Sequence, residues 1–187
     1  MGKSMVAQAL AALPVLLLAS SCLPAGDIVG ALSVAQPEQA VVYVEKVQGT
    51  FKGDHAKIDQ QNKVFMPFVL PVVQGTPVEF HNSDDLQHNV FGVGADEFNL
   101  GNWTKGIVRE HTFNKLGEVS ILCNVHPEME AYVLVLQNPY FALPDSSGKF
   151  RIAGVPAGEY VVKAWYRGKT KKLAVKVPAT GSVTALF

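Results

Sequence analysis

Apolar and polar side chains alternate along much of this chain, as in Val78 and Phe80 against Glu79 and His81, or in Tyr132, Leu134 and Leu136. A period of two places successive side chains on opposite faces, which suits a strand buried on one side and cannot give a helix a continuous apolar stripe. Helical periodicity is absent after the first residues, so the sequence predicts an all-β fold. Further strands are expected at 41–46, 64–70, 107–113, 117–123, 149–153, 159–166 and 171–177, many bounded by Gly, Pro or Asn. Short strands at this spacing point to β-sandwiches. The Gly- and Asn-rich stretch between His88 and Ile107 reads as loop or short strand carrying aromatic packing residues.

A chain of 187 residues, 48% hydrophobic and 17% charged, has the material for one large or two small cores and is not disordered in composition. Acidic and basic residues balance, 16 of each, which argues against a nucleic-acid partner. They are unevenly placed: residues 23–138 hold 7 Lys/Arg and 14 Asp/Glu, residues 139–187 hold 8 and 2. Two units are expected from that split. Residues 1–21 read as a signal peptide, with Lys3 ahead of an apolar run, 9–19, too short to span a bilayer. The run ends in Ala19-Ser20-Ser21-Cys22, which resembles a bacterial lipoprotein signal and implies lipid attachment at Cys22; plain cleavage near Ala25 is the alternative. The expected location is the periplasm or cell surface. The remaining cysteine, Cys123, then has no disulfide partner, and metal ligation would explain a single thiol in an oxidising compartment.

Cys123-Asn124-Val125-His126-Pro127-Glu128-Met129 lies between two predicted strands. Thiolate, imidazole and thioether within one loop favour copper over oxygen-loving ions, and two His, one Cys and a weak axial Met make the blue-copper donor set. His88, in a segment 35 residues before the cysteine, supplies the second imidazole. His81 is the rival, but it falls in mid-strand. His55 and His111 read as surface residues and Asp84-Asp85 as a polar loop. Pro127 restricts the conformation of His126 and removes a backbone donor. A lone Cys-x2-His is often incidental and a buried Met is often core filler. Here four donors coincide in order, spacing and strand context.

Over 64–136 these features resemble the cupredoxins of the plastocyanin and amicyanin group, through His88-Asn89-Val90 and a Cys-x2-His-x2-Met loop with Pro127 after the histidine. Gln87 stands where many members have Pro. The resemblance implies a Greek-key β-sandwich over 51–138, one type 1 copper ion and single-electron transfer without catalysis. It also implies that the Asn89 amide approaches the thiolate while the Asn89 side chain ties the two ligand loops together. His126 would be the electron port within an apolar patch, and the partner a redox protein such as a c-type cytochrome, an oxidase or a dehydrogenase. Leu122 and Asn124 flank the thiol where multicopper oxidases have His, and the loop lacks the second Cys of a binuclear centre. The segment 145–165, with Gly148-Lys-Phe150 and Val155-Pro-Ala-Gly158-Glu-Tyr160, resembles carboxypeptidase-regulatory-like or Cna-B-like β-sandwich modules. A small accessory sandwich built from 27–50 and 139–187 would follow. Copper storage or delivery, and an adhesion or binding module with an accessory copper site, are the alternative functions.

Overall fold

The computed structural model describes residues 24–187, so the expected signal segment and Cys22 lie outside the described residues. Among the described residues strands dominate, the one helical element is a short 3-10 turn at Pro37–Gln39, and no helix is long and apolar enough to cross a membrane.

Two sheets face each other around the stretch that carries the candidate ligands. One holds, in spatial order, Val69–Val73, Glu130–Leu136, Gly117–Leu122, His88–Gly94 and Phe98–Trp103; the other holds Val64–Met66, Ala56–Gln61, Thr76–Asn82 and Arg109–Phe113. Alternation decides which side chains enter the space between them: in Thr76–Asn82, Val78 and Phe80 point inward while Glu79 and His81 are half-buried on the other face. Ile58, Phe65, Phe80, Phe113 and Ile121 fill the core and are fully buried, each stabilising the fold by roughly 1.5–3 kcal/mol relative to exposure.

The remaining strands form two more sheets. Lys149–Pro156, Ala25–Ala31 and Ser182–Leu186 make one; Phe141–Ala142, Ala40–Val44, Gly158–Tyr166 and Lys169–Val177 make the other. Between them lies a second core that includes Ile28, Val42, Phe150, Ile152, Val162 and Ala185. It draws on chain from both sides of the ligand-bearing stretch. The strands either side of Ala157 do not pair with each other; the chain crosses there from one sheet to the facing one.

A third cluster, Val41, Val69, Leu134, Leu136 and Trp165, joins the two halves. Glu130–Leu136 therefore buries both faces beyond its first residues, so the alternation expected from Tyr132, Leu134 and Leu136 does not hold there: Val133-Leu134-Val135-Leu136 is continuously apolar. Trp165 donates its indole Nε1–H to Glu118 at 2.7 Å and packs edge-on to Tyr132, and Arg167 lies over the Phe68 ring at 4.7 Å.

The structure corrects, decides or adds to the expected strands in three places. The strand expected at 64–70 is two strands in different sheets, Val64–Met66 and Val69–Val73, parted at Pro67, which has no N–H to give to a ladder. Of the two readings of the stretch after His88, loop or short strand, the structure has the strand: His88–Gly94 pairs antiparallel with Phe98–Trp103. Ala56–Gln61, Phe141–Ala142 and Ser182–Leu186 were not expected as strands from the alternation.

Candidate metal centre

Gly117–Leu122 is the central strand of its sheet, and its last residue, Leu122, is level with Phe91 on one side and Glu130 on the other. Cys123 therefore leaves the sheet beside the start of His88–Gly94. The Asn89 backbone N–H donates to Cys123 Sγ at 3.4 Å, and the thiol is buried. The chain then turns so that the Met129 N–H donates to the His126 carbonyl at 3.0 Å, which brings Met129, also buried, back toward the core.

His88 and His126 meet across this loop. Their Nδ1 atoms lie 3.0 Å apart, and the candidate ligand atoms of His88, Cys123 and His126 all lie within 4.8 Å of one another. His88 is fully buried; His126 is half-buried and reaches the surface beside exposed Val125 and Pro127. Leu86, Ile107 and Val108 are exposed at the same end of the sandwich, where Asn82 links their loops by donating to the Leu86 and Trp103 carbonyls and accepting from the Gly106 N–H.

Asp84 orients the deeper imidazole. Its Oδ2 lies 2.8 Å from His88 Nε2, and its carboxylate also accepts the backbone N–H groups of Asn62 at 2.6 Å and Lys63 at 2.9 Å. Burial pushes the Asp84 carboxyl up, but the Lys63 and Asn62 amides and the His88 contact outweigh it, so the group sits below its ordinary value. An ionised carboxylate only accepts, so the proton of this contact is on His88 Nε2. The lone pair of the neutral ring is then on Nδ1, facing His126 and Cys123. Soft and borderline donors, two of them buried and the third half-buried, converging from three directions, fit a copper ion.

The structure brings together His88, Cys123 and His126 and leaves His81 elsewhere, its Nε2 against Glu79 at 2.8 Å. His55 is exposed. His111 is not a free surface residue: it is half-buried, stacks on Phe98 at 3.9 Å between centroids and contacts Asp96 at 3.2 Å. Asp84 is not merely part of a polar loop, whereas Asp85 beside it is exposed and pairs with Lys105. The Asn89 side chain does not tie the ligand loops together; its Nδ2 donates to Asn99 at 3.0 Å, across to the neighbouring strand. Asn89 Oδ1 and the Trp103 indole N–H are buried without a hydrogen-bond partner among the described residues.

Sequence reading missed Asp84 and the turn that holds it. The signal that the sequence does carry is an acidic residue four places before a candidate ligand His; the Asn62-Lys63 turn, at positive φ on both residues, is brought to it only by the fold.

No family model and no curated protein matches this chain. Solved structures that do match include a purple cupredoxin from Nitrosopumilus maritimus, at 25% identity and a TM-score of 0.39, covering 43% of this chain and 98% of that one. A reduced amicyanin variant matches at 25% identity and a TM-score of 0.40, over 43% of this chain and 80% of that one. A copper-containing nitrite reductase from Thermus scotoductus matches at 24% identity and a TM-score of 0.43, over 58% of this chain and 28% of that one. These are cupredoxin-like neighbours of an all-β chain.

Proposed function

We propose that this protein holds one copper ion through His88, Cys123, His126 and Met129 and passes single electrons between redox partners without catalysing a reaction. The observation that carries the reading is the buried Cys123 thiol placed against the facing Nδ1 atoms of two histidines. When bound there, copper supplies a one-electron couple. The protein's own residues do the rest. Cys123 is held between paired strands, the Asn89 amide steadies its sulfur, and Asp84 and the strand start fix His88, so little movement is needed when charge changes. His126, half-buried beside exposed Val125 and Pro127, is the electron port, and the partner is a redox protein such as a c-type cytochrome. Export and lipid attachment at Cys22 place the chain at a periplasmic or cell surface.

Copper storage or delivery is the second reading. The burial of His88, Cys123 and Met129 disfavours it, because exchange with an acceptor requires ligands it can reach. The test is substitution in copper-loaded, oxidised protein. Cys123→Ser should abolish the intense visible charge-transfer band; His88→Ala should perturb it strongly and His81→Ala hardly at all. A Cys123→Ser protein that stays coloured would refute the site. Full transfer of the metal to a chelating apo-acceptor within seconds would favour delivery instead.

A further inference from the structure

We propose that Asp84, anchored by the Asn62-Lys63 turn, is the positioning residue of the centre: it locks the buried imidazole of His88 in the Nε2–H form and keeps a negative charge on that ring's far side. Three observations carry it. The His88 ring is fully buried and Asp84 keeps only 11% of its side-chain surface, so the 2.8 Å contact is sheltered from water and from competing donors. The carboxylate is held by two backbone N–H groups from another strand connection, at 2.6 and 2.9 Å, so it cannot swing away with its own loop. That connection, between Ala56–Gln61 and Val64–Met66, has φ of 55° at Asn62 and 57° at Lys63, the left-handed conformation that aims consecutive N–H groups at one acceptor. Asp84 is further tied to Asn82, whose Oδ1 accepts the Asp84 N–H at 2.9 Å.

The histidines are thus unequal. His88 has its outer nitrogen committed to a largely covered carboxylate, whereas among the described residues no carboxylate is within hydrogen-bond distance of His126. With the Nδ1 of His88 bare, the 3.0 Å contact is made by the Nδ1–H of His126; to offer its own Nδ1 to a metal, a neutral His126 moves that proton to its Nε2 and releases none. A carboxylate behind a ligand imidazole raises its donor strength and stabilises the more highly charged metal state. Its effect on potential rests on the copper reading; its effect on the tautomer does not.

The experiment has two arms. In metal-free protein, two-bond nitrogen–proton NMR of His88 should show the Nε2–H tautomer with a slowly exchanging ring proton. Asp84→Ala, or Asp84→Asn if the alanine variant does not fold, should give a mixed tautomer and a fast-exchanging proton. A wild-type His88 that is Nδ1–H, or a variant spectrum identical to wild type, overturns the proposal whether or not copper binds. In copper-loaded protein, Asp84→Asn should keep the charge-transfer band yet favour the reduced form by about tenfold, 59 mV upward for a one-electron couple. Asp84→Glu should recover part of that change. Asp85→Asn, which removes an equal but exposed charge one residue away, should shift the potential far less. Equal shifts from Asp84→Asn and Asp85→Asn would mean a general charge effect and overturn the positioning role. A wild-type protein with no charge-transfer band would sink the copper reading and leave the tautomer result to decide the rest.

Discussion

A thiol, two imidazoles and a thioether acquire meaning here from contacts that are not contiguous in sequence. That Cys123 and His126 would come together was legible because one short loop carries them, and that His88 would join them because the same donor logic demanded a second imidazole. Asp84 was not legible as a partner, since its role depends on two amides 21 and 22 residues away that only the folded chain delivers. Tyr132 makes a residue-scale prediction of another kind. Burial, then its hydrogen bond to Glu130 and that group's charge, push its phenol up from 10.0 to about 12. The folded state holds this proton more tightly than the unfolded chain. The contribution to stability is therefore complete below the ordinary value and is lost as pH rises toward 12. Urea unfolding at about pH 9 and about pH 11 should show a fall in stability that is smaller in Tyr132→Phe; an unchanged fall would show that Tyr132 is not its source.

At the scale of elements, strands announced themselves where one face is buried and the other wet, as in Thr76–Asn82. Ala56–Gln61 hid because a polar residue, Gln60, is fully buried in it and breaks the expected pattern. Phe98–Trp103 was left open between loop and short strand because Gly and Asn are poor strand formers, and pairing with His88–Gly94 overrides that preference. Ala25–Ala31 is a strand whose composition has a reason: a Cβ on Gly30 would sit 1.7 Å from the Ala185 carbonyl oxygen of the parallel neighbour Ser182–Leu186. Gly30→Ala should force those strands apart and cost on the order of 3 kcal/mol or more in unfolding experiments; a loss below about 1 kcal/mol would mean the sheet gives way freely. The bridge between the halves offers a second check. Trp165→Phe keeps the apolar packing on Tyr132 but removes the donor to Glu118, and should cost about 1.5–3 kcal/mol, the range for hydrogen bonds to charged groups. No measurable loss would place Glu118 in water rather than in the bridge.

The molecule as a whole carries its charge in two parts, the ligand-bearing part being rich in Asp and Glu and residues 139–187 in Lys and Arg. Part of that basic excess lies along Lys169–Val177, an edge strand, where lysines also discourage pairing with another chain. Around the proposed port the apolar residues are small in extent and acidic residues such as Asp85 and Glu128 are exposed, which suits brief encounters with a basic partner. Electron exchange with a basic cytochrome should slow as salt rises, and an Asp in place of Val125 should alter the rate. A rate indifferent to both would mean another face meets the partner. The two-part charge pattern was legible in the sequence; the apolar seam through Val41, Leu134 and Trp165 was not, because strands buried on both faces lose the alternation that reveals an interior. The most direct test of the central claim is a reductive titration of the copper-loaded, oxidised protein, followed through its visible absorption. One electron per copper should bleach an intense band completely, reoxidation should restore it, and the Cys123→Ser protein should show no such band; a protein that loads copper yet shows only weak absorption, or consumes more than one electron per ion, would contradict the account.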